Sequence, residues 1–327
     1  MLQSNNSLAG IRGTAPLTLP SERARARRTY LKGILTNWQL YLFVLPAVVY
    51  FIVFHYAPMY GVQIAFKNYK ATLGFWGSPW AGFDHFIRFF NSYYFETVMK
   101  NTLTLTGMGL VLGFPLPILL ALLLNEVRHN RYKKLVQTVS FAPHFISVVV
   151  MCGMLTLFLN PSSGILNHIR TLFGLEAINF LQTPDMYKWI HVLSGIWQET
   201  GWASIIYFAA LSGVDPSLLE AARIDGANKL QRIIHINFPV LVPTIITLLI
   251  MRCGSMLTVG YEKVYLLQND ANVSASEVIS TYVYKAGLLQ ADFSFSSAVG
   301  LFNSVVNCIM LVLVNYAAKK YSEASLW

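Results

Sequence analysis

The sequence contains few charged residues and few cysteines. Only 12% of its 327 residues are Asp, Glu, Lys or Arg, whereas roughly a quarter is typical of soluble domains. That shortage of charge excludes an ordinary soluble domain. The three cysteines, Cys152, Cys253 and Cys308, have no Cys-x-x-Cys spacing and predict buried free thiols rather than a disulfide framework or a metal site. No GxxxxGK[ST] loop occurs, so the chain lacks the usual cradle for a nucleoside triphosphate.

Long apolar runs are what the sequence has instead. Hydrophobic residues make up 55% of the chain, and several runs reach the length of about 20 residues that a helix needs to cross a bilayer. The runs lack the alternation of barrel strands, so α-helices must satisfy the backbone in lipid. We therefore expect an all-α integral membrane protein. Six transmembrane helices are predicted, at residues 38–57, 102–124, 135–159, 189–211, 238–260 and 296–318.

The Lys and Arg residues are distributed unevenly between the connections of these runs. They are concentrated in residues 1–37, in the 125–134 and 213–237 connections and in the tail. Because basic residues accumulate on the cytoplasmic side of membrane helices, both termini are predicted to be cytoplasmic. Residues 1–37 are then a basic cytoplasmic segment without a cleavable signal peptide, and residues 38–327 form the membrane domain. This topology accounts for the net charge of +9 without nucleic-acid binding.

The cytoplasmic connection 213–237 contains most of the stretch EAARIDGANKLQRIIHINFP, an unusually charged segment for this chain. Asp215 and Pro216 provide a helix start, because Asp caps free N–H groups and Pro suits the first helical turn. Gly226 ends or bends that helix, since Gly tolerates the left-handed conformation. The sequence predicts a short helix at 216–225 and a second at 228–236. A solvated loop that only enforces topology is the alternative.

The spacing within this loop resembles the signature of permease subunits of binding-protein-dependent ABC importers. Phe238 stands where the family pattern usually has Leu. The segments PMYGVQIAFKNY and GFWGSPWAGFDHF further resemble permeases for complex oligosaccharides such as those from pectin or alginate. The loop residues that carry the resemblance are Glu220, Ala221, Ala222, Asp225, Gly226, Ala227, Ile236, Phe238 and Pro239.

The resemblance implies a type I ABC importer permease fold in a bacterial cell membrane. It also implies a second permease subunit, expected to be a different chain, two ATPase subunits that bind ATP and Mg²⁺, and an extracellular sugar-binding lipoprotein. The 213–237 segment would be the coupling loop that contacts the ATPase. The expected contact residues are Glu220, Ala221, Ala222, Asp225, Gly226 and Ala227. The chain itself would hold no cofactor or metal and no catalytic residue.

Polar side chains inside the spans are costly in lipid and are therefore candidates for the substrate pathway. Aromatic faces with amide or carboxylate partners suit sugars, although hydrogen bonding between helices is an equally good explanation of each residue taken singly. Glu199 and Arg252 lie at depths that differ by only roughly 3 Å, which predicts an ion pair between them or contact of Arg252 with an acidic sugar. The candidates are Trp197, Gln198, Glu199, Trp202, Arg252, Asn303 and Asn307.

Two other functions remain open from the residues. An ion-coupled secondary sugar carrier would use an intramembrane carboxylate such as Glu199 and would need no coupling loop. A membrane enzyme acting on lipid-linked sugars would require clustered acidic or His residues near the surface, which the sequence does not show. His55, His144 and His191 have no metal-ligand spacing and are assigned no chemistry.

Overall fold

The computed structural model describes residues 36–127, 129–321 and 325–327, so that most of the basic 1–37 segment lies outside the described residues. The described chain is helical apart from turns and one isolated bridge between Lys67 and Trp80. In chain order the α-helices are α1 (Trp38–Phe51), α2 (Ala57–Met59), α3 (Gly74–Gly77), α4 (Asp84–Phe90), α5 (Phe95–Met108), α6 (Pro115–Asn125), α7 (Asn130–Phe141), α8 (Val148–Phe158), α9 (Ile165–Leu172), α10 (Pro184–Leu211), α11 (Pro216–Ile224), α12 (Lys229–Arg232), α13 (Phe238–Cys253), α14 (Tyr261–Leu267), α15 (Val273–Ser276), α16 (Ile279–Tyr284) and α17 (Phe293–Tyr321).

Four helical segments are long and apolar enough to cross a membrane, and two bent helix pairs raise the possible number to six. The six predicted runs fall on these four segments and two pairs. The segments are Trp38–Phe66, Phe95–Asn125, Lys229–Cys253 and Phe293–Lys320, and the pairs are Asn130–Phe145 with Val148–Phe158 and Pro184–Leu211 with Pro216–Ile224.

The chain divides into two compact units, and the first ends at Gly61. Within it, α1 continues through a π-helical turn at Ile52–Tyr56 into α2. The helix is strongly apolar and contains Pro46. Its composition is that of the membrane helix predicted at 38–57.

In the second unit, wide helical turns precede two of the prolines. The π-helical turn Gly109–Gly113 leads into α6 at Pro115, and the turn Ile233–Asn237 leads into α13, whose second residue is Pro239. A proline lacks the N–H and its ring clashes with a carbonyl of the preceding turn. A wider turn relieves that clash. Both spans therefore continue past their prolines.

The third predicted span, 135–159, is not one continuous helix, which corrects that prediction. The helix axis bends by 98° between α7 with its 3₁₀ turn, Ala142–Phe145, and α8. Ser147 starts the second part by accepting a hydrogen bond from the Val150 N–H at 3.3 Å. Pro143 lies in the turn, where it cannot donate a backbone hydrogen bond. A span with a break in this position exposes backbone groups that neighbouring helices must satisfy.

The three connections predicted to lie outside the cell, at residues 58–96, 160–188 and 261–295, are joined by contacts within the second unit. Arg88 pairs with Asp292 at 2.7 Å and joins the first of these connections to the third. Asn272 donates to the Leu181 carbonyl at 2.8 Å and joins the third to the second. The grouping agrees with the predicted topology.

Three buried apolar clusters hold the spans of the second unit together. One joins α6, α10 and α13 through residues that include Ala121, Tyr207 and Leu241. Another joins α5, α8 and α10 to the 259–278 segment. The third packs the α4 residue Phe89 against α5, α16 and α17. Between the first two clusters, the helices leave a cavity.

Candidate functional site

A cavity of about 710 Å³ lies between α5, α6, α10, α13 and the segment that follows α13. Its wall is apolar over most of its area and carries a limited set of polar groups. Two of the seven pathway candidates, Glu199 and Arg252, line it. The other polar lining residues are Thr106, His191, Thr200, Tyr207, Ser255, Thr258 and Lys263.

The predicted ion pair between Glu199 and Arg252 is not formed. Glu199 Oε2 instead lies 3.2 Å from His144 Nδ1, while Arg252 has no carboxylate within 4.0 Å in the described part of the chain. The His144 ring stacks on Trp202 with 4.4 Å between ring centroids and a 3° angle between planes. The sequence assigned His144 no chemistry because it has no metal-ligand spacing, and Glu199 and Trp202 lie more than 50 residues away along the chain.

The face of α10 that carries these candidates supports the break in the third span. Gln198 Nε2 donates to the Ile146 carbonyl, which the break leaves free, at 2.8 Å. A Cβ on Gly201 would lie 2.0 Å from the Ser140 carbonyl oxygen, so only glycine allows this approach. Gln198 and Trp202 thus make helix contacts. Neither they nor Trp197, whose side chain is half exposed, line the cavity.

Asn303 and Asn307 on α17 do not line the cavity either. Asn307 Oδ1 accepts from the Leu257 N–H, and its Nδ2 donates to Thr258 Oγ1, both at 2.9 Å. Because Thr258 lines the cavity, Asn307 fixes one part of the wall from behind. The Asn303 Oδ1 atom is buried without a hydrogen-bond partner among the described residues. Contact of these five candidates with substrate stays a prediction.

Lys263 on α14 is a second cation in the cavity wall that sequence reasoning missed. Its Nζ donates to the His191 carbonyl at 2.6 Å, and it has no carboxylate within 4.0 Å among the residues that the structure describes. The sequence placed Lys263 in an external connection, where a lysine is unremarkable. Lys263 and Arg252 line the same cavity. The short distance between them along the chain is the one sequence signal that could have indicated this.

The coupling loop begins as predicted. The exposed Asp215 side chain accepts from the Ser217 N–H at 2.9 Å, and hydrogen bonds from Ser217 hold the pKa of Asp215 below its usual value. The first helix, α11, runs from Pro216 to Ile224. Gly226 has φ +80, and the following N–H, of Ala227, donates to the Ala222 carbonyl at 2.8 Å. The loop therefore reverses at Gly226 in a left-handed conformation.

The second helix of the loop differs from the prediction of a separate helix at 228–236. Asn228 and Gln231 form a capping box, with hydrogen bonds of 2.8 and 2.9 Å, that starts α12. Helical structure then continues without a break from Lys229 to Cys253. The loop is therefore joined rigidly to the fifth span at this end.

The outer surface of the coupling loop is apolar in places and contains a groove. Leu218, Ile224 and Leu230 are exposed, and Ile224 exposes 87% of its surface. These side chains lie on the segment that is expected to contact an ATPase, and that contact stays a prediction. Four of the expected contact residues, Ala222, Asp225, Gly226 and Ala227, line a groove of about 340 Å³ between α11 and α12. Glu220 and Ala221 are exposed on α11.

Side chains that could bind a metal ion are not clustered among the described residues. No group of three or more His, Cys, Asp and Glu side chains is placed to hold a metal ion in the described ranges. The chemistry that the cavity offers is hydrogen bonding, the two cations Arg252 and Lys263, and the Glu199 carboxylate.

Comparison with known proteins identifies the family of this chain. Residues 113–323 match the family described as binding-protein-dependent transport system inner membrane component. The chain is similar to the polygalacturonan/rhamnogalacturonan transport system permease protein YteP of Bacillus subtilis (strain 168), with 44% identity over 92% of this chain and 94% of that protein. It is also similar to Protein LplB of the same strain, with 42% identity over 95% of this chain and 99% of that protein.

A solved structure with the same fold is that of a bacterial alginate ABC transporter in complex with an alginate pentasaccharide-bound periplasmic protein. One of its chains is 41% identical, with a TM-score of 0.83 over 90% of this chain and 99% of that chain. These proteins are transport components, so the prediction of a transport subunit rather than an enzyme is confirmed, and neither alternative function is favoured. The chain belongs to the family of binding-protein-dependent transport system inner membrane components, and its fold is that of a type I ABC importer permease.

Proposed function

We propose that this permease imports acidic oligosaccharides, delivered by an extracellular solute-binding protein, through the cavity between its spans. The observation that carries the proposal is the pair of cationic side chains in the cavity wall, Arg252 and Lys263, neither of which has a carboxylate partner among the described residues. Similar proteins include a polygalacturonan/rhamnogalacturonan transport system permease and a chain of an alginate ABC transporter. Uronate units of such sugars carry the carboxylates that these cations would bind.

The energetic argument favours a charged sugar over a neutral one. Two opposite charges 4 Å apart attract by about 4 kcal/mol at an effective dielectric constant of 20, against about 1 kcal/mol in bulk water. A cation without a carboxylate partner in a partly closed cavity therefore gains more from a carboxylate than from a hydroxyl. Glu199 also lines the cavity, and its Oε2 lies 3.2 Å from His144 Nδ1 and beyond 4.0 Å from both cations.

Transport needs partners, because the chain lacks a site for ATP. Two ATPase subunits would bind ATP and Mg²⁺, and a second permease, a different chain, would close the pathway. The ATPases would bind the coupling loop at Glu220, Ala221, Ala222 and the 225–227 turn. The exposure of Glu220 and Ala221 and the groove lined by Ala222 and the turn support this contact. ATP binding would then shift the permeases between outward-open and inward-open states, since each partner prefers one state.

The topology completes the proposal. Both termini and the coupling loop would be cytoplasmic, and the joined external connections would receive the binding protein. The excess of basic residues in the loop, the 125–134 connection and the tail supports this orientation.

The direct test is ATP hydrolysis by the complex in lipid nanodiscs. The chain is reconstituted with its partner permease, ATPase and binding protein, and hydrolysis is measured with oligogalacturonate, with alginate oligomers and with a neutral oligosaccharide of the same length. We expect stimulation by binding protein carrying an acidic sugar and little or none with the neutral one. Equal stimulation by neutral sugars would refute the acidic substrate, and hydrolysis indifferent to binding protein would refute the importer.

A further inference from the structure

A largely buried carboxylate, Glu126, lies where the second span ends, directly after α6. Its Oε2 accepts a hydrogen bond from Arg232 Nη2 at 2.7 Å, and its Oε1 accepts from Asn237 Nδ2 at 3.2 Å. The exposed fractions of the Glu126 and Arg232 side chains are only 11% and 7%. Both partners belong to the segment that leads from the coupling loop into the fifth span. The Glu126 carboxylate is thus hydrogen bonded to that segment at two residues, Arg232 and Asn237.

Arg232 extends this link into the loop itself. Its Nη1 donates to the Ala227 carbonyl at 2.9 Å, and Ala227 directly follows the left-handed Gly226. The guanidinium therefore connects the reversal of the coupling loop to the end of the second span. The turn at Gly226 is thus linked to the end of α6 by the hydrogen bond from Arg232 to Ala227 and by the ion pair between Arg232 and Glu126.

The Glu126–Arg232 ion pair is more buried than the other described ion pairs that join distant segments. The Arg88–Asp292 pair has the same 2.7 Å distance, but the Arg88 side chain exposes 60% of its surface. Exposed pairs contribute little to stability because water screens them. Removing one partner of a buried pair leaves an uncompensated charge and is strongly unfavourable. Glu126 and Arg232 are therefore obliged to move together.

The network is also incompletely satisfied in this conformation. Arg232 Nε and Asn237 Oδ1 are both buried without a hydrogen-bond partner among the described residues. Buried polar atoms without partners are uncommon in stable structures. A second arrangement of the same groups that satisfies these atoms would make the network an element with two states, which is the physical requirement for coupling.

We infer that Glu126 is a positioning residue that transmits the motion of the coupling loop to the second span, through Arg232 and Asn237. The inference rests on the proposed function, because it assigns a route for the motion that the ATPases would impose. Without Glu126 the loop would keep its chain connections to the fourth and fifth spans and the packing of Ile233 against the cluster that includes Ala121, but it would lose this polar link to the end of the second span. The wall of the cavity formed by α5 and α6 would then follow the motion of the ATPases less closely.

Glu126→Gln tests this inference in the full reconstituted complex, because the amide keeps the shape and loses the charge. We expect normal basal hydrolysis, a loss of most of the stimulation by loaded binding protein, and fewer sugars transported per ATP. The charge exchange Glu126→Arg with Arg232→Glu should restore part of the stimulation. Glu96→Gln is the matched control, since this exposed carboxylate lies near the other end of the same span and should leave stimulation unchanged.

An unchanged stimulation ratio in assembled Glu126→Gln complexes would overturn the inference, whatever their yield. Failure of the wild-type complex to respond to binding protein would instead refute the proposed function. A measurement on the wild type avoids variants that fail to assemble. Hydrogen exchange of residues 115–125 and 227–237 should change together between the nucleotide-free and vanadate-trapped complexes, and a change confined to 227–237 would also overturn the inference.

Discussion

At the scale of single residues, Gly226 is required by its backbone conformation rather than by space. An added Cβ would meet no atom within 4 Å, yet φ is +80. A β-branched residue in the left-handed region costs roughly 1–2 kcal/mol or more, while Asn tolerates that region. Gly226→Val should therefore abolish most stimulation of ATP hydrolysis by loaded binding protein, and Gly226→Asn should retain it. Equal activity of the two variants would show that the turn is not needed for coupling.

Arg252 offers a second prediction at this scale. A charge-assisted hydrogen bond contributes about 1.5–3 kcal/mol, so Arg252→Gln should raise the concentration of acidic sugar needed for half-maximal transport by about tenfold, which corresponds to about 1.4 kcal/mol. Transport of any neutral sugar that the complex accepts should hardly change. Initial uptake rates in proteoliposomes measure both. Thr247→Val, on the same helix but outside the cavity lining, is a control, and a uniform loss for both sugars would contradict the assigned role.

Residue-level features could be predicted from the sequence where their cause is local. Asp215 caps α11 and Gly226 reverses the loop because both effects depend on neighbours within a few positions. The partners of Glu199, Arg232 and Lys263 depend instead on how distant segments pack. A difference in depth along two helices does not specify which faces meet, so the expected pair between Glu199 and Arg252 was wrong.

At the scale of elements, the break in the third span depends on its packing against α10. Gly201→Ala would place a Cβ 2.0 Å from the Ser140 carbonyl oxygen, a backbone atom that cannot yield easily. Overpacking of this kind costs about 1–3 kcal/mol. We expect a lower thermal midpoint of the purified permease complex, measured by loss of native tryptophan fluorescence. Gly300→Ala is the control, since a Cβ there meets no atom within 4 Å in helix α17, and an equal effect of both changes would exclude the packing explanation.

The same break shows what hydropathy leaves undetermined. Residues 135–159 are apolar enough for one span, and Pro143 alone does not distinguish a kink from a 98° bend. The bend requires Ser147 to cap a new helix and Gln198 to satisfy the free Ile146 carbonyl. The second of these contacts comes from another helix. Composition therefore predicts where apolar segments lie, while neighbouring helices determine whether each segment is straight.

At the scale of the whole molecule, the apolar runs and the basic connections were sufficient to predict where the four long apolar helices and the two bent pairs lie, and which connections contact each other. These properties average over many residues, and errors at single positions have little influence. The Arg88–Asp292 and Glu126–Arg232 pairs each join connections that were assigned to the same side. The identity of the two sides, however, rests on the positive-inside rule.

Labelling of single cysteines in cells tests which side is which. Tyr93 and Ile224 expose 91% and 87% of their surfaces and lie in an external connection and in the coupling loop, respectively. With Cys152, Cys253 and Cys308 replaced by Ser or Ala, a membrane-impermeant maleimide added to whole cells should label Tyr93→Cys and not Ile224→Cys. Inverted vesicles should give the opposite result, because the coupling loop then faces the reagent. Labelling of Ile224→Cys from outside would place the coupling loop on the external side, where a cytoplasmic ATPase could not bind it. That result would refute both the predicted topology and the proposal that ATPase subunits drive transport.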